Sequence, residues 1–226
     1  MQNPLLNLFF PRLCSGCNSI LFRNEQVICT RCLADLPETN YHLQPGNRIE
    51  QIFWGRVKIE RAFSFLFFRK QGITRNLLHQ LKYKDVKEIG FVLGKLYGLR
   101  LEQTVKDAGI DGVMAVPLHR SKLMKRGYNQ AQLFSEGLAA SLRIEECSNN
   151  IIRIRATETQ TRKTRAERQD NVNMIFSINN PGRFVNRHLL LVDDVITTGA
   201  TLESCADSLQ NIPGCRVSLG SIAFTG

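Results

Sequence analysis

The stretch Leu189-Leu190-Leu191-Val192-Asp193-Asp194-Val195-Ile196-Thr197-Thr198-Gly199-Ala200-Thr201-Leu202 constrains the fold more than any other part of the chain. Four aliphatic residues in a row, with no polar face, suit a strand covered on both sides, as central strands of parallel sheets are. An acidic pair follows, then a hydroxyl- and glycine-rich turn, then a helix with Leu202, Ala206 and Leu209 on one face, stopped by Pro213-Gly214. In open α/β sheets ligands bind beyond the carboxyl ends of the strands, which is where Asp193 and Asp194 fall. A helix start offers unpaired N–H groups and the positive end of a dipole, so Thr197, Thr198, Gly199, Ala200 and Thr201 can wrap a phosphate. Carboxylates in the same turn would repel a bare phosphate. They suit a ligand whose sugar hydroxyls they accept while the loop holds its 5′-phosphate. An acidic turn before an ordinary capped helix explains these residues singly but not as a run. No G-x-x-x-x-G-K-[ST] occurs, so a P-loop is excluded as far as that motif defines one.

The rest of the larger part alternates in the same way. Residues 62–68 alternate bulky and smaller side chains and read as a strand or hairpin. Ile73, Leu77 and Leu81, then Ile89, Val92, Leu93 and Leu96, and later Ala131, Phe134, Leu138 and Leu142, have helical spacing. Gly112 to Val116 reads as a buried strand ending at Pro117. Ile151 to Arg155, Met174 to Ile178 and Val217 to Phe224 are further strand candidates. This succession predicts an α/β domain over residues 49–226, with a mainly parallel sheet and flanking helices.

Residues 1–48 read as a separate module and linker. Cys14-Ser15-Gly16-Cys17 and Cys29-Thr30-Arg31-Cys32 are two C-x-x-C knuckles eleven residues apart. Two knuckles complete the four-sulfur tetrahedron that Zn2+ favours, leaving no open position for a catalytic water. A redox or iron–sulfur role and a disulfide framework are the competing readings, and the latter suits secreted chains. A structural metal would replace a core that about forty residues cannot build alone. Cys147, Cys205 and Cys215 read as small buried hydrophobes. The apolar leader Leu5, Leu6, Leu8, Phe9 and Phe10 reads as packing on this module or on the next domain, with docking on a membrane or partner as the alternative, and 37–47, with Pro37, Pro45 and Gly46, as a linker.

A formal charge of +10, with 43% hydrophobic residues, describes a folded basic chain. No apolar run reaches the roughly 18 residues a spanning helix needs, and the first ten residues lack a basic n-region. A cytoplasmic location is expected, peripheral at the inner membrane only through partners.

The fourteen-residue run resembles the phosphoribosyl pyrophosphate (PRPP) motif of type I phosphoribosyltransferases. Further stretches resemble the ComF (competence protein F) branch of that superfamily: the two knuckles, Leu81-Lys82-Tyr83, Val116-Pro117-Leu118-His119-Arg120, and Arg126-Gly127-Tyr128-Asn129-Gln130. So does Arg155 through Thr157 and Gln160 to Arg168, Asn171, Val172 and Phe176. Together they cover nearly the whole chain. The resemblance implies a type I phosphoribosyltransferase-like fold with a small N-terminal four-cysteine zinc module. It also implies that Asp193 and Asp194 hold ribose hydroxyls and that the loop from Thr197 to Thr201 holds the 5′-phosphate. By the same resemblance, Pro117, Leu118, His119, Arg120 and Arg126 lie toward pyrophosphate with Mg2+, and Gln160 and Arg168 belong to a lid. His119 reads as a solvated loop residue rather than a base, and no catalytic residue is assigned.

The implied function is PRPP binding in natural transformation. Single-stranded DNA, a competence helicase-like ATPase or a membrane channel would be the partners. Alternatives are a metabolic phosphoribosyltransferase with an unidentified acceptor, and a PRPP-sensing regulator. No acceptor-recognising hood is expected after the last strand; acceptor contacts would come from residues 50–100 or the cysteine module. The basic residues Arg120, Lys122, Lys125 and Arg126, and the six between Arg153 and Arg168, can serve DNA, PRPP or a plain solvated face. Tyr83 and Tyr128 can stack on bases or pack in the core.

Overall fold

The computed structural model describes residues 11–154 and 175–226. Among the described residues seven strands form in chain order: β1 (Leu66–Phe67), β2 (Gly112–Ala115), β3 (Glu145–Glu146), β4 (Ile151–Arg153), β5 (Phe176–Ile178), β6 (His188–Ile196) and β7 (Arg216–Phe224). Five of them make one sheet, in the order β1-β7-β6-β2-β3, and every pairing in it is parallel. β4 and β5 pair antiparallel beside it. The helices are α1 (Thr30–Ala34), α2 (Arg48–Phe53), α3 (Ile73–Tyr83), α4 (Glu88–Ala108), α5 (Arg120–Arg126), α6 (Gln130–Leu142) and α7 (Ala200–Gln210). This is the α/β architecture, mainly parallel with flanking helices, that the sequence predicts. Among the described residues no helix is long and apolar enough to cross a membrane.

The central strand has a layer on each side. Leu190 and Val192 of β6 pack with Leu81, Leu93 and Phe134 of α3, α4 and α6. Leu189 and Leu191 pack with Phe53, Leu202 and Leu209 of α2 and α7. Burial on both faces is why 189–192 carries no polar residue. Residues 60–68 run beside β7 over more than the two residues of β1, with Phe63 and Phe65 N–H donating to Leu219 and Ser221 carbonyls at 3.0 Å.

The cysteine-bearing segment shares the first layer: Cys14, Leu21, Ile28, Cys29 and Cys32 belong to the same apolar cluster as Leu77, Leu81 and Phe65. Segment 37–47, read above as a linker, runs along the sheet edge. Thr39 N–H donates to the Phe65 carbonyl at 2.9 Å and Phe67 N–H to the Pro37 carbonyl at 2.8 Å. It covers the outer edge of β1, which would otherwise present free backbone groups. The leader, residues 5–10, lies outside the described residues.

Two long helices meet through glycine. Gly90, Gly94 and Gly98 of α4 form a row four residues apart facing α6. A Cβ on Gly94 would strike the Phe134 carbonyl oxygen, and one on Gly137 the Phe91 carbonyl oxygen. Gly94→Ala should therefore destabilise the fold by roughly 3 kcal/mol, despite the gain of about 1 kcal/mol that alanine brings to an exposed helix. A urea unfolding midpoint unchanged in Gly94→Ala would contradict this close approach.

Candidate functional site

The acidic pair sits at the carboxyl end of β6, between β7 and β2, as the run predicts. Both aspartates are half-buried. The Asp194 N–H donates to Asp193 Oδ1 at 2.7 Å, and the Lys82 ammonium lies 2.7 Å from Asp194 Oδ2. Burial and the neighbouring Asp194 carboxylate push Asp193 up to about 7, against the pull of Lys82 and Arg153. Arg153, on β4, lies 5.5 Å from the Phe176 ring centroid, and burial lowers its pKa while Asp193 favours its charge. Two carboxylates and two cations thus share this end of the sheet.

The hydroxyl-rich loop follows directly. Gly199 takes a left-handed conformation at φ 75, and a Cβ there would lie 2.7 Å from the Phe53 ring. Thr197 and Thr198 are exposed, and Ala200 opens α7 with its N–H 3.5 Å from Thr198 Oγ1. Arg56 donates to the Thr198 carbonyl at 2.9 Å and pairs with Glu203 in the first turn of α7. That pairing offsets the one acidic side chain at a helix start otherwise favourable to an anion. A small open cleft lies here, lined by Asp193 and residues 195–202. The Asp193 carboxylate therefore stands at one end of a cleft whose other end has a helix start and threonine hydroxyls.

The stretch assigned to pyrophosphate lies at the same sheet end, since Val116 N–H donates to the Val192 carbonyl at 2.8 Å. Pro117 and Leu118 follow irregularly. His119 then caps α5, its Nδ1 accepting from Ser121 N–H at 3.3 Å. Arg120 is exposed. Arg126 donates to Gln130 Oε1 at 2.9 Å and lies 5.8 Å from the Tyr83 ring. Tyr83 is 62% exposed, whereas the Tyr128 hydroxyl donates to the Leu81 carbonyl, which makes Tyr128 a packing residue. Gln160 and Arg168, with the rest of the segment compared to a lid, lie outside the described residues.

At the other site, Cys14, Cys17, Cys29 and Cys32 bring four sulfurs within 4.8 Å of one another and could hold a metal ion such as zinc. Sulfurs bound at about 2.3 Å around a tetrahedral ion stand about 3.8 Å apart, and Cys17 Sγ lies 3.7 Å from Cys29 Sγ. Backbone N–H groups of Cys29 and Gly16 donate to Cys14 Sγ at 3.2 and 3.4 Å. Hydrogen bonds at Ser19 hold Cys17 down, at about 6, while burial pushes Cys32 up. Gly16 must be glycine, because a Cβ would lie 2.9 Å from Cys32 Sγ.

Phe53 and Arg56 are not legible as site residues from the sequence, Arg153 only as one of six basic residues that could serve PRPP, DNA or a solvated face, and Lys82 only as part of a short signature. Arg56 reaches Thr198 across 142 residues of chain, and no local pattern encodes such a contact.

No protein-family model matches the chain. It is 29% identical over 217 residues to DNA utilization protein YhgH of Escherichia coli strain K12, covering 94% of this chain and 90% of that protein. YhgH of Escherichia coli O157:H7 is 30% identical with the same coverage. Competence protein F of Haemophilus influenzae is 31% identical over 202 residues, covering 88% and 79%. Among solved structures, adenine phosphoribosyltransferase of Saccharomyces cerevisiae gives a TM-score of 0.42 at 14% identity, over 63% of this chain and 72% of that one. With relatives of 30% identity or more matched over most of their length, the chain belongs to the ComF family, alongside competence protein F and YhgH.

Proposed function

We propose that this chain binds PRPP with Mg2+ at the carboxyl end of β6, holds a structural Zn2+ on its four cysteines, and acts in the uptake or use of single-stranded DNA. The observation that carries the PRPP reading is one continuous piece of chain: a half-buried acidic pair, then a loop of threonines and a left-handed glycine opening a helix. Asp193 and Asp194 accept the ribose 2′- and 3′-hydroxyls, and Thr197 to Thr201 take the 5′-phosphate through hydroxyls and backbone N–H groups. Phe53 and Arg56 hold that loop in shape from below. Mg2+ would neutralise charge on the diphosphate. Departure of the diphosphate requires an acceptor.

The DNA setting is supported by the names of the relatives, DNA utilization protein and competence protein F. It is also supported by α5, which buries no residue and carries Arg120, Lys122, Lys125 and Arg126 beside the exposed ring of Tyr83. A basic surface next to an exposed aromatic suits unpaired bases and their backbone. A helicase-like ATPase or membrane channel of DNA uptake is the protein partner this reading calls for, with the chain peripheral at the inner membrane.

Calorimetric titration with Mg2+ and PRPP, with pyrophosphate release followed in parallel, tests the first part. Saturable binding is expected; its absence removes the PRPP reading. Fluorescence anisotropy with a labelled single-stranded oligonucleotide tests the second. Affinity should fall steeply with salt and weaken in Tyr83→Ala. Turnover with a defined acceptor and no DNA binding would favour a metabolic enzyme instead.

A further inference from the structure

Resting on the PRPP reading above, we propose that Lys82 is itself a ligand-binding residue, which releases Asp194 to the ribose and takes up the diphosphate. In the structure its ammonium is 2.7 Å from Asp194 Oδ2, and the two side chains are only 19% and 17% exposed. A charge so withdrawn from water needs an anion beside it. A ribose that donates its hydroxyls to Asp193 and Asp194 competes with Lys82 for that carboxylate. Once displaced, the ammonium needs a new partner, and the ligand brings one on the sugar carbon adjacent to a hydroxyl it has just donated.

The fold supports this exchange. Lys82 lies in the last turn of α3, whose backbone is pinned along its length. Leu77, Leu78 and Leu81 are buried, the Tyr128 hydroxyl donates to the Leu81 carbonyl, and the Asn76 amide donates to the Gly16 carbonyl at 2.8 Å. The origin of the side chain is therefore fixed, while its four-carbon stem lets the head turn between neighbouring acceptors. Arg153 is the other cation at this end of the sheet, and it is placed toward Asp193. Lys82 thus balances the acidic pair in the free protein and the diphosphate in the complex.

The alternative, that Lys82 only holds Asp194 in shape, predicts different binding. We would titrate Mg2+ with PRPP, and Mg2+ with ribose 5-phosphate, into the wild-type chain, Lys82→Met and Lys82→Arg. Lys82→Met should lose about tenfold or more in PRPP affinity, the scale of one charge-assisted hydrogen bond. Ribose 5-phosphate, which has no diphosphate, should bind unchanged or tighter, because Asp194 is freed. Lys82→Arg should keep most of the PRPP affinity. Equal losses for both ligands, or none for PRPP, would overturn the proposal. A wild-type chain that binds neither ligand would instead refute the PRPP reading itself. A measurement without variants gives a second test: ribose 5-phosphate should raise the acetylation rate of Lys82 read by mass spectrometry, and PRPP should lower it. Identical rates with the two ligands would contradict the exchange.

Discussion

Stripping the metal from the four-cysteine site, or replacing Cys32 with serine, should unfold the knuckles and lower the melting temperature of the entire chain. Structural zinc contributes about 10–16 kcal/mol to the folding of small modules at neutral pH, as much as the net stability of a typical domain, about 5–15 kcal/mol. Secondary structure contributes little here, since α1 is five residues long, and burial raises Cys32 toward the neutral thiol. The damage should spread, because Cys14, Cys29 and Cys32 pack in the same apolar cluster as Leu77, Leu81 and Phe65. Asn76 of α3 also hydrogen-bonds the Gly16 carbonyl inside the first knuckle. Hydrogen exchange under a strong chelator, with metal content and melting followed together, checks this expectation. Full protection of residues 14–33 in metal-free protein would contradict the four-thiolate assignment.

The residues that could be read from the sequence are those whose partners lie nearby in the chain or whose periodicity reflects burial. Leu189 to Val192 announced a doubly covered strand, and Leu202, Ala206 and Leu209 a helix face, because a strand end and a helix start are contiguous in sequence. The two knuckles are legible because each is a C-x-x-C pair, a local spacing suited to tetrahedral metal coordination. Segment 37–47 looked like a linker because Pro37, Pro45 and Gly46 lack a period. Its order comes from hydrogen bonds to residues 64–67, which have no sequence signature. His119 was readable as a loop residue, but not as the cap of a helix that buries nothing. The glycine row of α4 was missed for a related reason: its purpose appears only when Gly137 of α6 is placed against it.

Changing both aspartates to asparagine should have the largest effect on ligand binding. Each substitution keeps shape and removes a charge-bearing acceptor, and hydrogen bonds to charged groups are worth about 1.5–3 kcal/mol each, so the pair should cost at least about a hundredfold in affinity. The fold should survive, since both side chains are half-buried at a strand end and the substitution also relieves the burial cost and the repulsion that raise Asp193. Losing the carboxylate at 2.7 Å from Lys82 leaves that ammonium without its partner, which should show as a lower melting temperature.

The most direct measurement is calorimetry of Mg2+ and PRPP against the wild-type chain and against the Asp193→Asn, Asp194→Asn variant at equal metal content. Saturable binding by the wild type, with no detectable heat from a folded variant, is the predicted result. Equal affinity in the two proteins, or no binding by the wild type, would contradict a PRPP site at the carboxyl end of β6.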